Sequence, residues 1–427
     1  MAQQRILTGI TPSGTPHLGN YAGAIRPAVE ASSRAGVESF YFLSDYHALI
    51  KTSDPARVQR STLEIAATWL AAGLDPGRVW FYRQSDIPEI PELTWLLTCV
   101  SGKGLLNRAH AYKAAVDKNS AEGEEPDAGV TMGLFMYPVL MAADILMFNA
   151  HKVPVGRDQI QHLEMARDIA SSFNYRYGEH FVLPEAAIDD AVATLPGLDG
   201  RKMSKSYDNT IPLFASEAEL KKLIYGIVTD SKVPGEPKET EGSALFQIYQ
   251  AFASAEETTA MRARFAQGIA WGEAKEALFD KLETVLAPIR ARYEALIADP
   301  EKIERILQEG AARLREKYAT PFTRRLREAV GLRRLDQGLA AKTETQVKAQ
   351  ARPQFKQYRE NDGLFYFKLT DGANRLLLQS RGFTSPRDAG QAVAAIKNGA
   401  AFEEWAALAD GVNNADITRA LEALRAE

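Results

Sequence analysis

Three short apolar runs near the start of the chain lie too far apart to pair as hairpins. Arg5–Ile10, Ser39–Leu43 and Val79–Tyr82 read as strands. The stretches between them carry helical patterning, most clearly the amphipathic, glycine-closed Arg57–Gly73. Strands joined through helices run parallel, because a parallel pair needs a long crossover. In open sheets of this kind ligands bind at the carboxyl ends of the strands. Two polar turns fall there: the Gly/Pro-rich Gly9–Gly14 and the tetrad Ser44-Asp45-Tyr46-His47.

Two further segments have the chemistry of a polyphosphate site. Lys202-Met203-Ser204-Lys205-Ser206 interleaves two lysines with hydroxyls, so it can hold phosphates by charge and hydrogen bonds. Thr15-Pro16-His17-Leu18-Gly19-Asn20 is a small-residue turn running into a helix. Its glycine lets backbone approach a ligand closely, and the helix start offers N–H groups to an anion. His17 can donate to phosphate oxygens and Asn20 can hydrogen-bond at the helix start. Taken singly, the first is an ordinary basic turn and Asn20 an ordinary N-cap. Together they favour a nucleotide.

Asp144 is the third signal. On a helix Met141, Asp144, Ile145 and Phe148 share one face, so the carboxylate points with apolar side chains. Burying it without a partner would cost several kcal/mol. A ligand with a large apolar body and one N–H donor, such as indole, would satisfy both demands. Equally, Asp144 could cap a helix or pair with an arginine such as Arg167 or Arg108. On chemistry alone both readings stand.

The segments at His17–Asn20 and Lys202–Ser206 resemble the signature pair of the class I aminoacyl-tRNA synthetases, the first as a variant of the HIGH element. Asp45-Tyr46-His47-Ala48, Met141–Leu146, Val153–His162 and Arg167-Asp168 are similar to segments of the bacterial tryptophanyl-tRNA synthetases. The likeness runs from near residue 5 to about residue 335. It implies ATP-dependent ligation of L-tryptophan to its tRNA through a tryptophanyl-adenylate, with AMP and diphosphate released. Lys202, Lys205 and His17 would act on the transferring phosphoryl group, with Mg²⁺ carried by ATP. Thr11, Pro12, Ser13, Gly19, Asn20, Gly156, Arg157, Asp158, Leu195, Lys202, Met203, Ser204, Lys205 and Ser206 would form the ATP site. Asp144 would receive the indole N–H, with Tyr137, Met141, His47, Gln159, Val153 and Val155 around the ring. The family often has Gln at the position of Thr11 and Phe at that of Leu7. A homodimer is implied as well. The competing readings are a tyrosine-specific synthetase of the same class and a non-catalytic RNA-binding paralogue. Retention of His17, Asn20, Lys202 and Lys205 weighs against the latter.

Charge and cysteine content narrow the rest. A formal net charge of -4 argues against coating nucleic acid by bulk electrostatics, while allowing a local basic face. One cysteine excludes an intramolecular disulfide and any Cys-cluster metal site. That residue, Cys99, lies in an apolar run and reads as a buried structural thiol. His162 lies near Asp158 and Glu164, but the lack of a second well-spaced His leaves no protein metal site expected. His110, His151 and His180 read as surface or loop residues. The chain has no apolar run of membrane-spanning length, and its N-terminus carries no signal-peptide pattern. A cytoplasmic protein is expected.

The expected fold class is α/β. A Rossmann-like parallel-sheet nucleotide-binding domain precedes an α-helical domain and a small α+β (β-β-α) C-terminal module. The boundaries are 1–207 for the catalytic domain, 208–339 for a helical domain that meets the tRNA anticodon, 340–360 for a linker and 361–427 for the module. Leu278, Leu282, Val285 and Ile289 form a bundle stripe, and Pro288 is expected to kink or divide its helix. Leu364–Leu369 and Arg375–Gln379 flank the turn Thr370–Asn374 as a hairpin, followed by a helix from Pro386. This unit resembles the accessory module of bacterial proteins of the YegP type. Its Lys368, Arg375 and Arg381 could touch tRNA, against the plainer reading of a solvated surface.

Overall fold

The computed structural model describes residues 3–12, 16–187, 194–333, 353–360, 362–372 and 375–425. Ser13, Gly14 and most of the expected linker lie outside the described residues. The chain divides into two compact units, Met1–Leu332 and Arg333–Glu427.

In the first unit the apolar runs become β1 (Gln4–Ile10), β2 (Val37–Leu43) and β3 (Trp80–Arg83), joined by β4 (Lys152–Pro154) and β5 (Glu185–Ala187). All pairings are parallel, in the order β3-β2-β1-β4-β5. Phe40, Tyr41, Phe42 and Leu43 are all buried, which explains why β2 reads as an unbroken apolar run: helices cover both faces. The strand order reverses between β1 and β4, where such a sheet opens a crevice for a ligand. That junction has one register pair, Ile6 with Lys152. His151 reinforces it: Arg5 N donates to its Nδ1 (3.0 Å) and its own N–H to Arg5 O (2.9 Å). The histidine expected as an ordinary loop residue therefore stitches the crevice together.

Helical segments complete this unit. One core joins Leu18, Tyr41 and Ile65 to Leu278, Leu282 and Leu307, so residues on both sides of position 207 pack together. Helix Trp271–Ile297 continues through Pro288 undivided. Leu286 before the proline and Ile289 after it are both buried in the same core. Cys99 is exposed, contrary to expectation. Helix Glu89–Thr98 buries Leu93, Leu96 and Leu97, and Val100 follows them inside, leaving Cys99 and Trp95 on the other face. An apolar run on a helix cannot bury every member when the helix has one covered side.

The second unit is a four-stranded antiparallel sheet, β6 (Gln354–Arg359), β7 (Phe365–Thr370), β8 (Leu376–Ser380) and β9 (Ala406–Leu408). The hairpin expected from sequence is β7–β8. Strand β6 falls where a linker was expected, because its Gln and Lys residues mask the inward-facing Phe355. Helices Pro386–Lys397 and Asn414–Arg425 pack Ile396 and Ile417 onto Phe367, Leu369 and Leu378.

Helix Pro300–Leu314 lies against β3 so closely that a Cβ at Gly310 would sit 2.0 Å from the Phe81 carbonyl oxygen. Mid-helix glycine is ordinarily unfavourable against alanine. Here it sets the helix–strand distance, and the obstacle is backbone that no rotamer change can move. Gly310→Ala should destabilise this unit by about 1–3 kcal/mol despite the better helix propensity. Urea denaturation of the variant checks this, and an unchanged or raised midpoint would refute the close-approach argument.

Candidate active site

The chain just after β1 meets the loop carrying the paired lysines. Leu18 N donates to Ile211 O (3.0 Å) and Leu213 N to Pro16 O (3.0 Å), pinning the helix start to the strand-like segment that follows Tyr207. A side chain at Gly19 would sit 3.0 Å from the His17 ring and 3.7 Å from Met203 Cβ. Met203 is itself buried and pairs by backbone with the buried Leu195 (2.9 Å). The hydrophobic middle of the Lys202–Ser206 segment is thus an anchor, and its lysines are left exposed.

His17 caps helix Leu18–Asn20. Its Nδ1 accepts from Asn20 N (3.3 Å), and Asn20 Oδ1 accepts from His17 N (3.1 Å). Sequence reasoning had considered Asn20 as the cap; the histidine fills that role, with Asn20 reciprocating three residues on. Burial, then the nearby Lys205 charge, lowers the His17 pKa to about 4. With Nδ1 accepting, the ring proton of neutral His17 resides on Nε2, leaving a donor for an anion. Partial burial lowers the Lys205 pKa as well.

The loop has a support that sequence reasoning missed. Asn209, buried, accepts from Ser204 N (2.9 Å) and donates to Asp199 Oδ1 (2.6 Å) and Lys202 O (3.2 Å). A Cβ at Gly197 would fall 2.3 Å from the Asn209 side chain, so glycine there makes room for it. Ser204 and Ser206 hydroxyls bond each other (2.8 Å). Spacing within the motif gives no hint of an asparagine three residues beyond it.

Asp144 lies on helix Met132–Met147 and is 1% exposed. Arg167, one of the arginines considered for it, donates to Pro184 O (2.8 Å). Instead His47 Nε2 lies 2.9 Å from Asp144 Oδ2, and Gln84 Nε2 donates to both oxygens (2.8 and 3.0 Å). Burial raises the Asp144 pKa, with the His47 and Gln84 hydrogen bonds opposing it. The fully buried Tyr82 hydroxyl feels this carboxylate, and its pKa is raised by burial and by that charge. Gln84 also accepts from Tyr46 N (3.1 Å), so one amide links the turn after β2 to the helix bearing the acid. A lone Gln after a strand carried no signal.

Around this carboxylate, the Tyr137 ring stands edge-on to His47 (6.5 Å) and its hydroxyl bonds His162 Nε2 (2.7 Å). Val153 is core, with Met141 and Val155 packed against the same cluster. Thr11 accepts from the Ser44 hydroxyl (3.2 Å), tying together the turns after β1 and β2. Pro12 is buried. Gly156 precedes a 3₁₀ turn, Arg157–Gln159, which leads into helix Ile160–Tyr177; Gly156 and Arg157 are exposed there and Gln159 is half-buried. The described residues contain no group of three or more His, Cys, Asp or Glu side chains able to hold a metal ion.

His17 supplies a titration test. Its depressed pKa means that, as pH falls from 6.5 towards about 4, the unfolded chain takes up the proton first. Its contribution to stability is therefore complete above 6.5 and is lost progressively down to about 4. NMR of the His17 ring should give a midpoint near 4, rising in Lys205→Ala; a midpoint at 6.5 in the folded protein would refute the assignment.

Comparison with known proteins gives the family. The family model described as tRNA synthetases class I (W and Y) matches residues 2–287. The tryptophan–tRNA ligase of Xanthomonas campestris pv. campestris is 69% identical over 392 residues, covering 91% of each chain. That of Pseudomonas aeruginosa is 65% identical over 389 residues, 90% of this chain and 87% of the relative. A crystal structure of the Campylobacter jejuni tryptophanyl-tRNA synthetase complexed with ADP and tryptophan superposes with a TM-score of 0.70 at 41% identity. It covers 77% of this chain and 100% of that one. The chain belongs to the class I tRNA synthetases of the tryptophan and tyrosine type.

Proposed function

We infer that this protein is a tryptophan–tRNA ligase: tryptophan and ATP give tryptophanyl-adenylate and diphosphate, and the tryptophanyl group then passes to tRNA with release of AMP. The observation that carries the specificity is Asp144, a buried carboxylate held by Gln84 and His47 beside an apolar lining. A carboxylate has about four lone-pair directions, so His47 and Gln84 leave room to accept an indole N–H. Tyr137, Met141, Val153, Val155 and Gln159 would flank the ring.

In the first step the substrate's own carboxylate attacks the α-phosphorus in line, and diphosphate leaves with the bond electrons. That nucleophile is ionised at neutral pH, so no protein base is required. Positioning and electrostatics do the catalysis. Neutral His17 offers its Nε2–H to a phosphate oxygen, while Lys202 and Lys205 follow the charge moving onto diphosphate. Mg²⁺ would enter with ATP and neutralise phosphate oxygens. Thr11, Pro12, Ser13, Gly19, Asn20, Leu195, Met203, Ser204 and Ser206 would complete the nucleotide site. Gly156, Arg157 and Asp158 would add contacts from the start of the helix that follows.

The same reading extends to assembly. Residues 208–339 would meet the tRNA anticodon, and the C-terminal unit, whose sheet begins with β6, would be an accessory module of the YegP type. A homodimer is proposed because Trp95 and Met132 are 67% and 68% exposed, large apolar surface that a second copy would cover. Action in the cytoplasm fits the absence, among the described residues, of a helix long and apolar enough to cross a membrane.

Two kinetic variants test the chemistry. Asp144→Ala should raise the tryptophan KM about tenfold or more in ATP–diphosphate exchange, with the ATP KM little changed. Lys205→Ala should leave tryptophan affinity intact and lower the rate of adenylate formation, since its contact strengthens in the transition state. Wild-type tryptophan kinetics in the first variant, or preferential activation of tyrosine by the native protein, would overturn the reading. For assembly, Trp95→Glu should shift the sedimentation coefficient from dimer to monomer; a wild-type value would move the interface elsewhere.

A further inference from the structure

We propose that the open face of the C-terminal sheet is a binding platform for single-stranded RNA. Strand alternation assigns the two faces. Phe355, Phe365, Phe367 and Leu369 point to the helices, and the Gln357 amide reaches Gly390 on helix Pro386–Lys397. Lys356, Tyr358, Tyr366, Lys368 and Gln379 therefore project from the opposite face. Lys356 is exposed and the other four are half-exposed.

The arrangement on that face is specific. Lys356 stands directly across the ladder from Lys368, and Tyr358 across from Tyr366. The tyrosine rings stack at 5.8 Å and 22°, and Lys368 Nζ lies 5.4 Å from the Tyr358 centroid. Gln379 donates to the Tyr358 hydroxyl and Tyr366 donates to Asp362 Oδ2 (2.6 Å), fixing both rings. Like charges placed opposite each other weaken a sheet. Among the described residues the module's ion pairs run elsewhere, from Arg375 and Arg419 to Asp371 and Asp416. Lys356 and Lys368 belong to none of these pairs.

An anion between the lysines would remove their repulsion. Cβ atoms directly opposite each other on an antiparallel pair lie about 4.5–5.5 Å apart, and the two long lysine side chains leaving that pair can reach neighbouring phosphates of an extended single strand. Aromatic rings on the same surface give its bases a stacking partner without demanding a sequence. An acidic peptide would use the lysines and leave the rings idle. Duplex RNA keeps its bases stacked inside. The proposal rests on the synthetase reading only in making RNA a natural partner; the binding itself is tested separately.

Fluorescence anisotropy on the full chain, with a short labelled single-stranded RNA, decides the matter. Lys356→Ala combined with Lys368→Ala should weaken binding and reduce the slope of log affinity against log salt by about 1.4, two phosphates at about 0.7 each. Tyr358→Ala with Tyr366→Ala should weaken binding about tenfold or more while leaving the slope unchanged. Tyr358→Phe with Tyr366→Phe, which keeps the rings, should retain most affinity and guards against misfolding of the alanine pair. Tryptophan-dependent ATP–diphosphate exchange should stay at the native level in all three. Its absence from the native protein would count against the synthetase reading and not against the platform. Unchanged RNA affinity and salt slope in the lysine variant would overturn the proposal. So would equal binding of duplex RNA, or lysine-dependent, tyrosine-independent binding of poly-glutamate.

Discussion

The pairing of Pro16 and Leu18 with Leu213 and Ile211 is the constraint on which the proposed nucleotide side of the molecule depends. It closes nearly the whole length of the α/β region on itself, and it does so with backbone hydrogen bonds that need no particular side chain. Everything chemical at this edge is then a matter of what is hung on that clasp. Gly19 allows His17 and Met203 to approach, Met203 sinks into the core, and the flanking lysines stay out in solvent. Without the clasp, His17 would have neither its burial nor the neighbouring Lys205 charge that keeps it neutral.

A second, independent framework holds the proposed amino-acid side. Asp144 sits deep enough that isolation would favour protonation, and the protein answers with donors and no full counter-charge on an arginine. The difference matters for recognition. A buried arginine would occupy the carboxylate with a partner costly to displace, whereas the Gln84 amide and the His47 ring orient it by hydrogen bonds. Gln84 does this while gripping the turn after β2, so recognition and sheet geometry are mechanically joined.

What could be read from sequence was what is local and repeated. The buried run at Phe40–Leu43, the helix near Pro55–Ala71 and the interleaved lysines each announce themselves within a few residues. Strands β4 and β5 did not, because three residues cannot display a period. Asn209 and Gln84 were silent for a different reason: their importance lies in what they reach, and distance in space leaves no mark on spacing in sequence. Cys99 misled because composition reports an apolar neighbourhood along the chain, while burial depends on which way a helix side faces.

That exposed sulfur has a practical side. A chain with one cysteine, standing on the same helix face as Trp95, has a single address for thiol-reactive chemistry. A spin label or fluorophore attached there would be homogeneous without any engineered substitution. It would sit well away in sequence from both His17 and Lys205, and two labelled copies would report their separation directly. A residue with no part in the proposed chemistry thus offers a built-in probe of whether two copies of the chain associate.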